Sequence, residues 1–239
     1  MEEKMETEVK KEKKAKKAKP ITIPANKKGR HINKFLNFMR CIVIPPFYLL
    51  KPFRYFGNKK PPEGACLFIS NHYAMLDPVY AAALTWEGIH FIAKRELFDS
   101  KFMGFFVRNG RVISVNRDGN DARGLLDCFK CLKNGEKLCI FPEGTRNKTD
   151  EEMLPFHPGA AVMAIKCKAP IIPIVIYKKP KFFRRTHVLI GEPIELSEYY
   201  GKKLTEEELS QVDEFLRNRM IEMRREHTEY LENKKKKKA

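Results

Sequence analysis

Short apolar runs alternate with helical patterns from Ala65 onward, and this alternation limits the possible folds more than any other feature of the chain. It is typical of α/β proteins, in which helices cover a largely parallel sheet. We therefore predict an α/β fold with a mostly parallel sheet flanked by helices. Strands are expected at residues 65–70, 89–93, 111–115, 137–141, 171–177 and 187–190.

Four helices are predicted between and after these strands. The first covers about residues 77–86, with Asp77 as N-cap and Pro78 at the first helical position. Two more cover about 121–134 and 159–168. The last begins at Thr205, which can form a capping box with Glu208. Its predicted apolar face consists of Leu209, Val212, Phe215, Leu216, Met220 and Met223.

The formal net charge of +17 lies mostly at the two ends of the chain. Residues 1–31 hold eleven Lys and Arg against five acids, and residues 234–238 are five consecutive Lys. We interpret 1–31 and 233–239 as basic flexible tails, since neither can bury much apolar surface. Such tails could bind an anionic membrane surface. A solvated tail without a partner is an equally good interpretation.

Residues 32–60 precede the strands and mix apolar, aromatic and basic side chains. Apolar residues repeat at helical spacing from Ile32, and we expect Pro45 and Pro46 to end that helix. The longest uncharged run, 41–50, is ten residues, against the roughly 20 needed to span a bilayer. We predict an amphipathic segment, centred on 32–56, that lies in the membrane interface. Packing of the same face on the protein's own core is the alternative, and both can hold.

The six cysteines lie mostly in apolar runs, and the N-terminus is charged rather than apolar, so we expect a reducing cytosol. Cys128 and Cys131 have CxxC spacing, but they fall in a helical pattern and no second pair completes a four-ligand site. We expect no metal and no cofactor.

The first motif whose side chains could take part in a reaction is NHYAMLD at residues 71–77. His72 follows a predicted strand and Asp77 begins the next helix, so a loop can fold the carboxylate back onto the imidazole. No Ser or Cys lies in a nucleophile-elbow pattern, so His72 would act as general base on a substrate hydroxyl. The alternative is that Asp77 only caps its helix and His72 is an ordinary loop residue.

The second motif, FPEGTR at residues 141–146, follows the predicted strand 137–141. Glu143 can accept hydrogen bonds from a polyol, and the amides of Gly144 and Thr145 can donate to a phosphate. Arg146 can bind a phosphate bidentately, and Arg117 can reach it from the strand before. A charged surface turn is the alternative interpretation of this segment.

Together the two motifs resemble the hallmarks of the glycerolipid acyltransferases, which include 1-acyl-glycerol-3-phosphate acyltransferases. AKREL at 93–97, Gly104, Gly110 and Arg117 look like the family's middle block, and APIIPIVI at 169–176 looks like its last. The resemblance runs from about Ala65 to Tyr177. One departure is PFHPGA, which has His157 where relatives often have lysine.

The resemblance implies an enzyme and assigns roles to its residues. It implies His72 as the base, Asp77 as its partner, Glu143 as a glycerol contact, and Arg117, Thr145 and Arg146 as phosphate contacts. The implied reaction moves a fatty acyl group from acyl-CoA or acyl carrier protein to lysophosphatidic acid, giving phosphatidic acid. We expect residues 61–232 to form this acyltransferase domain, bound peripherally or monotopically at the cytoplasmic face of the membrane.

Two other functions remain as alternatives. One is acyl transfer to a different lysophospholipid, because two arginines do not exclude a phosphodiester. The other is a non-enzymatic basic protein that binds RNA or membranes through its lysines. We expect no nucleic-acid partner, since most of the basic excess lies in the tails and no RNP-type aromatic block is present.

Overall fold

A seven-stranded sheet organises the residues that the computed structural model describes, which are 34–115 and 122–237. The strand order across the sheet is β1-β7-β6-β2-β5-β3-β4. The strands are β1 (Phe53–Gly57), β2 (Cys66–Ser70), β3 (Ile89–Lys94), β4 (Val112–Val115), β5 (Lys137–Ile140), β6 (Ile171–Ile176) and β7 (Thr186–Ile190).

Strand direction confirms the predicted mostly parallel sheet. β2 pairs in parallel with both β5 and β6, and β3 pairs in parallel with both β4 and β5. β7 runs antiparallel to β6, and β1 runs parallel to β7. The five strands β2 to β6 therefore end at one edge of the sheet, which is where α/β proteins place their ligand sites.

The six predicted strands are confirmed, and each has one end that differs from the prediction by one residue. β1 was not predicted, because residues 53–56 had been assigned to the membrane-interface segment. Phe53 is buried and pairs with Thr186, more than a hundred residues further along the chain. Such a long-range pairing leaves no local signal in the sequence.

Both faces of the sheet are covered. Along β2, Leu67 and Ile69 belong to one buried cluster, whereas Cys66 and Phe68 belong to the other. This alternation follows from the period of two in a strand. Every residue of β2 is buried, as expected for a central parallel strand covered on both sides.

Seven α-helices are described in the structure, besides a short 3-10 helix at Ser197–Tyr199. They are α1 (Lys34–Leu50), α2 (Pro78–Ala82), α3 (Glu96–Asp99), α4 (Lys101–Asn109), α5 (Ala122–Lys133), α6 (Ala160–Cys167) and α7 (Glu206–Lys236). The predicted helices at 121–134 and 159–168 are confirmed as α5 and α6. α3 and α4 were not predicted.

The predicted helix at 77–86 is too long. α2 ends at Ala82, and the amide of Glu87 donates to the Thr85 hydroxyl in the turn that follows. A local side-chain bond of this kind offers the backbone an alternative to helix and favours a turn.

α7 begins with the predicted capping box, in which the side chains of Thr205 and Glu208 each accept from the other's backbone amide. Its face was predicted correctly at Val212, Leu216, Met220 and Met223, which are buried. Phe215 was placed wrongly, because its side chain is 53% exposed.

Pro45 and Pro46 do not end the first helix, contrary to prediction, since α1 continues through them to Leu50. A proline removes a helical hydrogen bond and costs roughly 3 kcal/mol in a helix interior. Here both prolines are exposed, while Phe47 is buried edge-on against Tyr80. Aromatic packing beneath the prolines therefore holds the helix together at the point where its hydrogen bonds are missing.

The structure also corrects the domain boundary predicted at residue 61. β1 belongs to the sheet, so 53–57 is part of the α/β unit rather than a separate interface segment. Within the described residues, no helix is both long and apolar enough to cross a membrane. The predicted tail 1–31 lies outside the described residues. The tail predicted at 233–239 is described up to Lys237, and it is helical rather than flexible there, because α7 continues to Lys236.

Candidate active site

Both sequence motifs lie at the carboxyl edge of the parallel strands. NHYAMLD follows β2 and FPEGTR follows β5, and these two strands are direct neighbours in the sheet. Two loops that leave adjacent parallel strands in the same direction must meet. The fold therefore brings together two segments that lie about seventy residues apart in the sequence.

His72 and Asp77 form a hydrogen-bonded pair across the loop, as predicted. The distance from His72 Nδ1 to Asp77 Oδ2 is 3.0 Å. A carboxylate can only accept, so Nδ1 carries a hydrogen, and in the neutral ring the lone pair is on Nε2. The ring lies against Phe141, with 4.4 Å between ring centroids, and stays partly exposed. In the described part of the chain, no group forms a hydrogen bond with Nε2.

Asp77 does not cap α2 with its side chain, so that alternative is wrong. Its Oδ2 instead accepts from the amides of Tyr73 and Ala74 as well as from His72. The other oxygen, Oδ1, is buried and has no partner among the described residues. Three donors on one oxygen fix the carboxylate in the position from which it orients the imidazole.

The loop after β5 holds the main chain of His72 from both sides, through Glu143 of the second motif and Asn147 directly after it. The His72 amide donates to Glu143 Oε1 at 2.7 Å, and the His72 carbonyl accepts from the Asn147 amide at 2.6 Å. The two motifs are thus hydrogen-bonded to each other through the backbone of the histidine. This contact was not predicted, because the sequence suggested two separate halves of a substrate site.

Glu143 is buried and has both carboxylate oxygens engaged, since Oε2 accepts from the Leu154 amide at 3.0 Å. Burial raises the pKa of Glu143, while the amides of Leu154 and His72 oppose that shift. The predicted glycerol contact of Glu143 stays a prediction. The structure gives its carboxylate a positioning role between the two loops.

Gly144 has a structural role in place of the predicted amide contact. Its N–H donates to the Phe141 carbonyl at 2.9 Å and is therefore not free for a phosphate. Its φ of +64° is a conformation that glycine adopts without strain. A Cβ here would lie 2.4 Å from the His157 ring, so the position also requires the absence of a side chain.

The remaining predicted phosphate contacts differ in their placement. Thr145 and Arg146 are exposed on the turn after β5, on the same sheet edge as His72. Arg117 lies outside the described residues, so its predicted contact stays a prediction. Of the two predicted arginines, Arg146 is therefore the one that the described residues place at the rim of the site.

Three residues that organise the site were not predicted. The amide side chain of Asn71 bonds to both the N–H and the carbonyl of Ile176, tying the loop to β6. Asn147 is buried directly after the second motif. Arg224 reaches from α7 to the Ile176 carbonyl and lies over the Tyr73 ring. Asn71 lies within the first motif and Asn147 directly follows the second, so their positions point to both, whereas nothing local in the sequence indicates Arg224.

A separate polar cluster lies at the opposite edge of the sheet. Ligand atoms of His90, Cys131 and Glu136 lie within 4.8 Å of one another, and all three residues are buried. Glu136 already pairs with His90 at 2.7 Å and with Arg111 at 3.4 Å. A neighbouring guanidinium disfavours a cation, so an ion-pair network accounts for this cluster. The expected absence of a metal stays a prediction.

Comparison with known proteins matches residues 53–177 to the family model described as Acyltransferase. The 1-acyl-sn-glycerol-3-phosphate acyltransferase of Helicobacter pylori (strain J99) is 36% identical over 124 residues, covering 50% of this chain and 52% of the relative. The enzyme of the same name from Bacillus subtilis (strain 168) is 31% identical over 144 residues, covering 56% and 68%. The chain therefore spans about half the length of the first relative.

A solved structure shares the fold. The crystal structure of the 1-acyl-sn-glycerophosphate acyltransferase from Thermotoga maritima superposes with a TM-score of 0.61 at 24% identity, covering 79% of this chain and 78% of that one. The match to the family model extends over more than half of the chain and includes both motifs of the site. The protein is therefore a member of the acyltransferase family.

Proposed function

We propose that this protein transfers a fatty acyl group from an acyl thioester to the free hydroxyl of 1-acyl-glycerol-3-phosphate, forming phosphatidic acid. The observation that carries the proposal is the His72 ring, which Asp77 orients while its Nε2 has no hydrogen-bond partner among residues 34–115 and 122–237. Family membership and the names of the relatives support the choice of reaction and acceptor. The donor is acyl-CoA or acyl carrier protein.

The reaction follows from the hydrogen bond between His72 and Asp77, which places the hydrogen on Nδ1 and leaves Nε2 to act as the base. His72 Nε2 takes the proton of the acceptor hydroxyl as its oxygen attacks the thioester carbonyl, and Asp77 stabilises the imidazolium that forms. The tetrahedral intermediate then collapses, the carbon–sulfur bond breaks, and Nε2–H⁺ returns the proton to the leaving thiolate. No acyl-enzyme intermediate is needed, since the nucleophile belongs to the substrate.

Head-group binding is assigned to the exposed rim of the site. Arg146 and the hydroxyl and amide of Thr145 hold the terminal phosphate of the acceptor, with Arg117 as a second cation. A terminal phosphate has three acceptor oxygens and more negative charge than a phosphodiester. A guanidinium therefore binds a terminal phosphate more strongly than it binds a phosphodiester. The names of the relatives, together with this preference, support lysophosphatidic acid as the acceptor over another lysophospholipid.

The acceptor is a lipid, and α1 offers a surface for contact with a bilayer. Ile42, Tyr48, Leu49 and Leu50 are exposed on this helix, in a segment without charges. Side chains of this kind partition into the membrane interface. We place the protein peripherally at the cytoplasmic face of the membrane, with the basic tails near anionic headgroups.

A matrix of donors and acceptors tests the proposal. Purified protein is assayed with acyl-CoA and acyl carrier protein against lysophosphatidic acid and lysophosphatidylcholine, and phosphatidic acid is the expected main product. His72→Ala should reduce turnover by about 10²–10⁴-fold. Met75→Ala, an exposed position in the same loop, serves as the matched control and should retain activity. Turnover of His72→Ala at the control level would remove the proposed base.

A further inference from the structure

The turn between β6 and β7 exposes two adjacent phenylalanines among bases. Phe182 is 64% exposed and Phe183 is 73% exposed. The neighbouring exposed bases are Lys178, Lys179, Lys181, Arg184 and Arg185. No acidic residue lies between 177 and 191. Exposed aromatic rings surrounded by cations match the interface of an anionic bilayer, where rings enter the headgroup layer and bases bind lipid phosphates.

The backbone of Phe183 adds a second observation. Its φ is +56°, in the left-handed region that bulky residues rarely adopt. A large apolar side chain is thus held in water at a position where Asn or Gly would fit without strain. Neither folding nor solubility accounts for a phenylalanine here, whereas contact with an apolar phase does.

This turn is joined to the end of α1. The Phe183 amide donates to the Leu50 carbonyl at 2.7 Å, and the Thr186 amide donates to the Pro52 carbonyl at 2.8 Å. Lys51 Nζ lies 4.8 Å from the centre of the Phe182 ring. The turn 178–185 and the exposed side of residues 41–50 therefore form one continuous surface, which we call the docking surface.

The docking surface borders the candidate active site. β6 runs parallel to β2, so the turn after β6 leaves the sheet at the same edge as the loop that holds His72. Asn71 bonds directly to Ile176, the last residue of β6. A bilayer seated on this surface would lie beside the exposed rim that holds Arg146.

We propose that Phe182 and Phe183 insert into the interface of an anionic bilayer and, together with α1, turn the active-site edge toward the lipid. The turn acts as a second membrane contact, far from the N-terminal segment in sequence. Two contacts, α1 and the turn, restrict the orientation of the protein on the bilayer more than either contact alone. The binding part of this proposal stands alone, and its catalytic consequence rests on the proposed function.

Vesicle co-sedimentation of the full chain tests the binding part. Phe182→Ser/Phe183→Asn replaces both rings and places at 183 a residue that tolerates positive φ, so the fold and melting temperature should be kept. Binding to vesicles of phosphatidylcholine and phosphatidylglycerol should weaken about tenfold or more. The matched control is Phe215→Ser, which removes an exposed phenylalanine from α7 and should bind as the wild type does.

The basic residues of the turn are tested separately. Arg184→Gln/Arg185→Gln should weaken binding to the anionic vesicles by about fivefold per base, and should have little effect on pure phosphatidylcholine vesicles. Lys202→Gln/Lys203→Gln, at exposed positions elsewhere, is the charge-matched control. If the phenylalanine variant binds anionic vesicles as tightly as Phe215→Ser does, the proposal is overturned. If it instead loses retention on heparin while keeping vesicle binding, the turn serves a polyanionic partner and the proposal is likewise overturned.

An activity measurement distinguishes this proposal from the proposed function. The phenylalanine variant should turn over a short-chain lysophosphatidic acid dispersed as monomers at the wild-type rate, yet lose most activity on acceptor embedded in vesicles. Equal losses on both acceptors would overturn the orienting role of the turn. A wild-type chain inactive on every acceptor would refute the proposed function, while the vesicle-binding comparison would still decide the membrane contact.

Discussion

The candidate site has two halves that differ in how they are held. Around His72, the side chains of Asp77, Glu143 and Asn147 are buried and bonded to backbone groups. By contrast, Thr145 and Arg146 are exposed on the rim. A general base must be within hydrogen-bond reach of the proton at a defined angle, whereas a guanidinium can grip a phosphate from several positions. The rigid half therefore serves the chemistry and the open half serves binding.

This contrast predicts that substitutions in the rigid half reduce turnover and those in the open half reduce affinity. The first and largest test is Asp77→Asn. An asparagine amide can present its N–H₂ to Nδ1, which would place the hydrogen on Nε2 and leave no base facing the substrate. We expect kcat to fall by about 10²-fold or more. This fall in kcat is measured by steady-state kinetics with lysophosphatidic acid as the varied substrate.

Asp77→Asn should also lower stability, since Asp77 is buried and its Oδ2 accepts three hydrogen bonds. A loss of about 1–3 kcal/mol is expected from urea unfolding. Retained kcat with a large rise in KM would contradict the proposed division, because it would give a buried residue of the rigid half a binding role.

Glu143→Gln tests the clamp between the two loops. Its two oxygens accept from the amides of His72 and Leu154, and glutamine can accept at only one of these positions while its N–H₂ opposes the other donor. We expect about 1–3 kcal/mol lower stability and roughly 10-fold lower kcat, since the histidine backbone would shift. The measurements are urea unfolding and steady-state kinetics.

Glu151→Gln is the matched control for this prediction, because Glu151 is exposed on the loop that follows. It should behave as the wild type does in both measurements. If Glu143→Gln mainly raised the KM for lysophosphatidic acid and left stability unchanged, the carboxylate would contact the glycerol, as the sequence resemblance implied.

Arg224→Lys tests whether the rigid half extends to the C-terminal helix. Arg224 donates to the carbonyls of Glu152 and Ile176 and lies 5.7 Å from the centre of the Tyr73 ring. A lysine keeps the charge but loses the forked geometry, so the loop that follows His72 loses one support. We expect a fall in kcat of about fivefold with little change in KM. Arg225→Lys, the exposed neighbour, should change neither quantity.

The sequence predicted the meeting of His72 and Asp77 because both belong to one short loop after an apolar strand. It also predicted the edge at which the two motifs lie, since β2 and β5 are short, mainly apolar segments that a parallel sheet buries. The order of strands was not predictable in this way. That β2 and β5 are neighbours, and not separated by β3, depends on packing across the whole sheet.

What the sequence failed to predict depends on contacts distant along the chain. The strand β1 pairs with residues beyond 185, and the continuation of α1 through Pro45 depends on Phe47 packing against Tyr80. The glycerol contact of Glu143 stays a prediction, but the sequence did not indicate that the Glu143 carboxylate also holds the two loops together. Its inward direction is set by the free amides of His72 and Leu154, which no local pattern reveals.

Arg146→Ala tests the open half and should give the smallest effect. Its side chain is exposed, so its attraction for a phosphate is screened by water and salt, and a loss of about 1 kcal/mol corresponds to roughly a fivefold higher KM. Neither kcat nor the melting temperature should change. Lys148→Ala, an exposed base two residues further on, is the matched control and should leave KM unchanged.

Because screening strengthens with ionic strength, the difference between Arg146→Ala and the wild type should shrink at high salt. A large fall in kcat in Arg146→Ala would show that the arginine also places the hydroxyl for attack, and the division into a rigid catalytic half and an open binding half would then fail.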